Sequence, residues 1–151
     1  VNINTPYELF DCVSIEDLLV RADKVAHVQV GNNLEHALLV LTKTGYTAVP
    51  VLNPSYKLQG LVSTTLILDS ILGLERIEFE RLEERKVESV MKKDVPRMKV
   101  GEHMNQALHL MINHPFVCVE NEHGVFEGIL TRRSILQHVQ KDLLRKQSTK
   151  K

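Results

Sequence analysis

The residues best suited to chemistry lie near the end of the chain, in Thr131-Arg132-Arg133-Ser134. Ile135, Val139 and Leu143 recur at i, i+4 and i+8, which predicts a helix from about Arg133 to Arg145. The basic pair therefore sits where that helix begins. Unpaired N–H groups at a helix N-terminus favour an anion. Arginine adds planar, bidentate contacts of the kind that hold phosphate. Lys24 offers a further point charge, and Tyr46 a ring able to stack on a base. Other chemistries are poorly served. His103, His109 and His114 are spaced by six and five, which does not bring pairs onto one helix face as an i, i+4 spacing does. No His-Glu-x-x-His and no paired cysteines occur. Ser63 and Ser134 lack a neighbouring His and Asp pattern that would make a nucleophile. His27 reads as a surface strand histidine, Cys118 as core, and Cys12 as part of an exposed start. Catalytic and metal-ligating residues are thus not expected.

The elements that position these residues come in two copies. Val25 to Val30 matches Val95 to Val100 at an offset of seventy, as do Ala37-Leu38 and Leu41 with Ala107-Leu108 and Met111. The offset then falls to sixty-eight: Val49 and Val51 meet Val117 and Val119, Gly60 to Ser63 meets Gly128 to Thr131, and Ile67-Leu68 meets Ile135-Leu136. The change places a two-residue deletion near His114-Pro115. A short amphipathic piece leads each copy, Ile15 to Leu19 and Val87 to Met91. Each copy reads as β-α-β-β-α. In the first, Asn33 caps a helix that Gly45 ends in the left-handed region. Thr47 to Leu52 and Leu58 to Ser63 form a hairpin, and Thr64 to Leu72 a helix closed by Gly73. In the second, Phe116 to Glu120 and Val125 to Thr131 are the hairpin strands. One three-stranded unit buries too little surface to be stable alone. The fold is therefore expected to be α/β, with two repeats, 14–74 and 87–145, packed as a pseudo-two-fold pair. Ala48 to Leu52 and Phe116 to Val119 are apolar enough to be buried on both faces.

Residues 75–86 form a charged linker with five glutamates and four basic residues around Ile77, Phe79 and Leu82. It reads as a solvated, partly helical segment. Phe79 has no repeat partner, which leaves an interaction surface as the sharper alternative. The tail from Gln147 is expected to fray. The methionines Met91, Met98, Met104 and Met111 follow the apolar repeat and are expected in the core or on a dimer face.

Composition narrows the function. At 151 residues the chain fits one domain or two small ones. Nineteen basic residues balance nineteen acidic ones, and aromatics are 5%, which argues against a nucleic-acid binder. No stretch approaches the ~20 apolar residues of a membrane helix. Val1 to Phe10 lacks the pattern of a signal peptide. Two cysteines are too few for a disulfide framework. The expectation is a cytoplasmic, reduced protein of bacterial style.

The motifs Ala48-Val49-Pro50-Val51 with Gly60-Leu61-Val62-Ser63, and Phe116-Val117-Cys118-Val119 with Gly128 to Leu136, resemble a tandem pair of cystathionine-β-synthase (CBS) domains, the Bateman module. The resemblance covers Ser14 to Arg145. Ala22 to Val30 and Phe116 to Glu120 also resemble, more narrowly, stand-alone CBS proteins of Gram-positive bacteria that bind cyclic di-AMP. It implies clefts for adenine nucleotides between the domains. One cleft takes Lys24, Val25, Ala26, Tyr46, Thr47 and Pro50 from the first copy and Phe116, Thr131, Arg132, Arg133 and Ser134 from the second. The other would pair Val95, Pro96 and Arg97 with Ser63, Thr64, Thr65 and Leu66.

The residues themselves suit the first cleft: Val25, Ala26, Tyr46, Pro50 and Phe116 could supply an apolar slot, and the cations suit a phosphate. They depart from the family at the ribose-binding Asp, three positions after the Thr. Ser134 and Leu66 stand there. Leucine accepts no hydroxyl hydrogen bond, so the second cleft is expected to be empty. A cyclic dinucleotide, with esterified 3′ hydroxyls and two phosphates, suits an Arg-Arg pair without that Asp. The resemblance implies a non-catalytic regulator, a homodimer, and a cytosolic target enzyme, with a ppGpp synthetase/hydrolase engaged by the ligand-free form. An AMP, ATP or ADP sensor using the same cleft, and a ligand-free interaction module, remain the alternatives.

Overall fold

The computed structural model describes residues 13–149. The expectations for Val1 to Phe10 and for Cys12 lie outside the described residues. In chain order the elements are α1 (Ile15–Leu18), β1 (Val20–Arg21), a 3-10 turn (Ala22–Lys24), β2 (Val28–Gln29), α2 (Leu34–Thr44), β3 (Ala48–Leu52), β4 (Leu58–Ser63) and α3 (Thr64–Ile71). They continue with α4 (Arg81–Glu84), a 3-10 turn (Val87–Ser89), β5 (Arg97–Lys99), α5 (Met104–Met111), β6 (Phe116–Glu120), β7 (Phe126–Thr131) and α6 (Arg132–Thr149). The β-α-β-β-α order recurs in both copies, and the fold is α/β.

The chain forms two compact units that exchange segments between the sequence copies. One unit holds the residues through Val25, Pro96–His123 and Glu127 onward; the other holds Ala26–Val95 and Gly124–Phe126. The second unit has the expected three-stranded sheet, β2-β3-β4, with β2 parallel and β4 antiparallel to β3. The first has four strands, β1-β7-β6-β5, because the leading piece of copy one adds β1 antiparallel to β7. The sequence reading expected three there. A two-residue strand carries too weak an alternation to be read from its residues.

The two cores match position by position. In one unit Met98, Met104, Ala107, Met111, Val117, Val119, Leu130 and Ile135 are buried together. In the other Val28, Leu34, Ala37, Leu41, Val49, Val51, Val62 and Ile67 are. These are the repeat equivalents of each other. The ninth member of each cluster comes from the other copy's leading piece: Ile15 joins copy two, and Val87 joins copy one. Burial of one such side chain contributes about 2 kcal/mol, so each leading piece stabilises the opposite copy.

The repeated glycine of the hairpin explains how the leading pieces fit. At Gly128 a Cβ would lie 2.1 Å from the Val20 carbonyl oxygen, and φ is +148°. At Gly60 a Cβ would lie 2.7 Å from the Lys92 carbonyl oxygen. Val20 and Lys92 occupy matching places in the two leading pieces, and Leu61 exchanges both backbone hydrogen bonds with Lys92, at 2.9 and 2.8 Å. Only a residue without a side chain lets the visiting backbone come this close.

Helix ends follow local chemistry. The Asn33 Oδ1 accepts from the His36 N–H at 2.9 Å, and Gly45 ends α2 at φ +77° with its N–H on the Leu41 carbonyl at 3.0 Å. Asn33→Ala is expected to lower stability by about 1 kcal/mol, measured as a shift of the urea midpoint at unchanged slope. The helix α3 ends at Ile71, one residue earlier than expected, with Leu72 extended. Gly73 is not its left-handed cap. It is required because a Cβ would lie 2.9 Å from the Arg76 carbonyl oxygen. The last helix starts at Arg132 and continues through Thr149, so residues 147–149 are helical where fraying was expected; the last two residues of that tail lie outside the described residues. In the linker only Arg81–Glu84 is helical, and Leu82 packs on the second core.

Candidate functional site

The Arg132 N–H donates to the Pro115 carbonyl at 3.2 Å. This bond sets the start of β6 beside the end of β7, and so brings Phe116, Thr131, Arg132, Arg133 and Ser134 to one end of the four-stranded sheet. The Thr131 Oγ1 accepts from the Ser134 N–H at 3.0 Å and lies 3.0 Å from the Ser134 Oγ. Thr131 is thereby the cap of α6. The Ser134 hydroxyl is held by Thr131, which is a poorer arrangement for gripping a ribose diol than a free carboxylate.

The two arginines divide. The Arg132 Nε and Nη2 donate to the Met111 carbonyl at 3.1 and 3.0 Å, and Nη2 also reaches the Ile112 carbonyl at 3.4 Å. Arg132 thus satisfies carbonyls left open at the end of α5. The cause is in the repeat. Copy one ends its helix with Gly45, whereas copy two has lost two residues here and has Ile112-Asn113 instead. A cation on the last carbonyls replaces the glycine. With Leu108, Met111, Ile112, Ile135 and Leu136 it lines an apolar groove of about 220 Å³. Arg133 is exposed, and neither its amide nor its guanidinium has a partner among the described residues. It stands near the start of an 18-residue helix, and of the pair it is the cation whose guanidinium has no partner among the described residues.

The other expected residues fall as follows. Lys24 closes the 3-10 turn Ala22–Lys24, exposed and without an ion pair among the described residues. Val25 next to it is buried. Ala26 packs against the core of the second unit. In that unit Tyr46 is half exposed and Thr47 is exposed. The Thr47 carbonyl accepts from the Thr64 N–H at 3.1 Å, so Tyr46 and Thr47 lie beside the start of α3. Pro50 is buried inside β3, opposite Leu61. A proline is tolerated there because β2 pairs only with Val51 and Leu52, so no ladder bond is needed from residue 50 on that side.

Two polar residues of the second expected cleft, Ser63 and Arg97, are already engaged. The Ser63 Oγ accepts from the Leu66 N–H at 3.1 Å as the cap of α3. The Arg97 Nη1 lies 3.6 Å from Oε2 of the buried Glu120.

Two of the histidines have structural partners. The His103 Nδ1 accepts from the Asn105 N–H at 3.0 Å and caps α5. The His27 ring stands edge-on to Tyr56, with centroids 5.2 Å apart. Among the described residues no group of three or more His, Cys, Asp or Glu side chains could hold a metal ion. Cys118 is fully buried, as expected, and desolvation pushes its thiol up to about 12, against a smaller opposing effect of Arg97. The folded protein therefore keeps this proton where an unfolded thiol loses it. The stability this contributes is fully present below pH about 9 and declines as pH rises toward 12. In a Cys12→Ser background the remaining thiol is expected to be inert to a disulfide reagent at pH 8 until denaturant is added; prompt labelling of folded protein would contradict this burial.

Sequence reasoning missed a recess of about 600 Å³ on the first unit, lined by Glu16, Arg21, Lys99, Asn121 and Glu127 among others. There the Asn121 Nδ2 donates to the Glu127 Oε1 at 3.2 Å. It also missed the work of Arg132, for which the missing glycine after Met111 was the available signal.

The chain is similar to several known proteins. The CBS domain family matches residues 14–73 and 87–141. The cyclic di-AMP receptor B of Bacillus subtilis (strain 168) is 57% identical over 130 residues, covering 86% of this chain and 88% of the receptor. A crystal structure of a CBS domain-containing protein of Bacillus anthracis is 60% identical, with a TM-score of 0.82, over 90% of this chain and 99% of that one. The Listeria monocytogenes CbpB protein, solved in complex with c-di-AMP, is 55% identical with a TM-score of 0.79, over 85% of this chain and 96% of that one. Among the described residues no helix is long and apolar enough to cross a membrane.

Proposed function

The chain belongs to the CBS-domain family, and from that premise we propose that it is a non-catalytic receptor for cyclic di-AMP. The observation that carries this is the 57% identity to a cyclic di-AMP receptor across 86% of the chain. The chemistry of the residues agrees with it. Arg133 and Lys24 are unpaired cations among the described residues, suited to two phosphates. The position of the family's ribose carboxylate is Ser134, already bonded to Thr131. A mononucleotide with two free ribose hydroxyls loses more from that exchange than a cyclic dinucleotide with one per ribose. Val25, Ala26, Tyr46, Thr47, Pro50 and Phe116 are the proposed base slot, and Thr131 and Arg132 complete the set.

In this reading the two repeats, 14–74 and 87–145, act in the cytoplasm as a homodimer that controls a target enzyme. Ligand and target must each favour one of two states, and their effects on each other are then reciprocal. The test is calorimetric titration with cyclic di-AMP, AMP and ATP in parallel. Sub-micromolar binding of cyclic di-AMP with at least ~10-fold weaker binding of the mononucleotides is expected. Tighter binding of AMP or ATP makes the protein an energy sensor, and silence from all three overturns the nucleotide reading.

A further inference from the structure

We infer that the turn between the two repeats, Leu72 to Phe79, is the surface on which a protein partner docks, and that the partner offers a basic amphipathic segment. The turn is built, and it is apolar where it meets water. The Gly73 N–H donates to the Arg76 carbonyl at 2.8 Å, the Glu78 N–H to the Ile71 carbonyl at 2.7 Å and the Leu82 N–H to the Phe79 carbonyl at 3.0 Å. Leu72 and Ile77 form a bridge across it. Arg76 pairs with Glu80, with Nη1 3.2 Å from Oε2, and Arg81 pairs with Glu78. On this frame Leu72, Ile77 and Phe79 are exposed, Phe79 by 62%, and Leu74 is fully exposed at 107%.

The fold does not ask for these side chains. At the offset of sixty-eight that aligns the preceding helices, copy two carries Gln140, Asp142, Arg145 and Gln147. Four large apolar groups held outward by a preorganised turn lower the ordering cost of association and serve as anchors. They are also too many, in eight residues, for an unpartnered linker.

Charge selects the partner. Leu72 to Glu84 carries five glutamates against two arginines, and both arginines are taken by Glu80 and Glu78. Glu75, Glu83 and Glu84 make no ion pair among the described residues, and neither does Asp69 one turn before Leu72. Of the cations that follow, Arg85 is turned to the Ser70 carbonyl at 3.0 Å, which leaves Lys86. An acidic rim repels nucleic acid and anionic bilayers alike and attracts a basic peptide.

This inference rests on the reading that the protein controls a partner, and it can fail separately. The probe is a labelled helical peptide of roughly 18 residues, with leucines at i, i+3, i+4 and i+7 and lysines on its other face. Its anisotropy is measured with the full chain. Binding is expected to weaken at least ~10-fold in Leu74→Ser/Phe79→Ser, and also in Glu75→Lys/Glu83→Lys/Glu84→Lys, with cyclic di-AMP titration of both variants unchanged. Three results overturn the inference: equal binding by the variants, equal binding of a twin peptide with glutamates for lysines, or conversion of a dimer to a monomer by the Leu74/Phe79 pair. That last result would mean a second copy covers the patch. Peptide binding by a chain that ignores cyclic di-AMP would overturn the proposed function alone.

Discussion

Replacing Arg133 with methionine is expected to weaken cyclic di-AMP binding by about 100-fold and to leave the thermal midpoint unchanged. Arg133 is exposed and has no partner among the described residues, so the fold loses nothing with it. In the proposed site a ligand phosphate would lose a charge-assisted, bidentate contact at a helix N-terminus, an effect of about 2–3 kcal/mol. Arg132→Met is expected to behave differently. Its guanidinium holds the Met111 and Ile112 carbonyls, so the variant also loses about 1–2 kcal/mol of stability. Calorimetric titration and thermal unfolding on the same preparations separate the two roles. Wild-type affinity in Arg133→Met, or an unchanged midpoint in Arg132→Met, would contradict the assignment.

Gly128→Ala is expected to cost about 3–5 kcal/mol, one of the largest effects available from a single methyl group in this chain. The new Cβ would stand 2.1 Å from the Val20 carbonyl oxygen, in a backbone at φ +148° that disfavours any L side chain. The strand β1 must leave β7, and Ile15 then loses its place in the core of copy two. Gly60→Ala is expected to cost less. Its Cβ would stand 2.7 Å from the Lys92 carbonyl oxygen, and its φ lies outside the left-handed region. Urea unfolding of both variants checks the order. A Gly128→Ala protein as stable as Gly60→Ala would count against the close approach of the leading piece.

Much of this architecture was legible from residue order. The matched apolar positions of the two copies became two cores of equivalent members, since burial of a whole helix or strand face is a periodic demand that sequence records directly. The Asn33 and Gly45 caps were legible for a similar reason: their chemistry acts within four residues. The phosphate-suited Thr131-Arg132-Arg133 was visible too, as residue types at a helix start.

What sequence by itself determined, then, is the repeat, the element order, the core membership and the types of group available to a ligand. The tertiary structure alone decided the rest. It sent Ile15 and Val87 into each other's copies, because a four- or three-residue piece is placed by the surface it fits and not by its own weak periodicity. It assigned Gly60 and Gly128 to the close passage of a distant backbone, a contact no local pattern encodes. It also split the arginine pair, tying Arg132 to carbonyls twenty-one and twenty residues earlier and leaving Arg133 free. Identical side chains acquire different work when hydrogen-bond partners are distributed by folding, because an open carbonyl takes the nearest donor whatever its place in the chain.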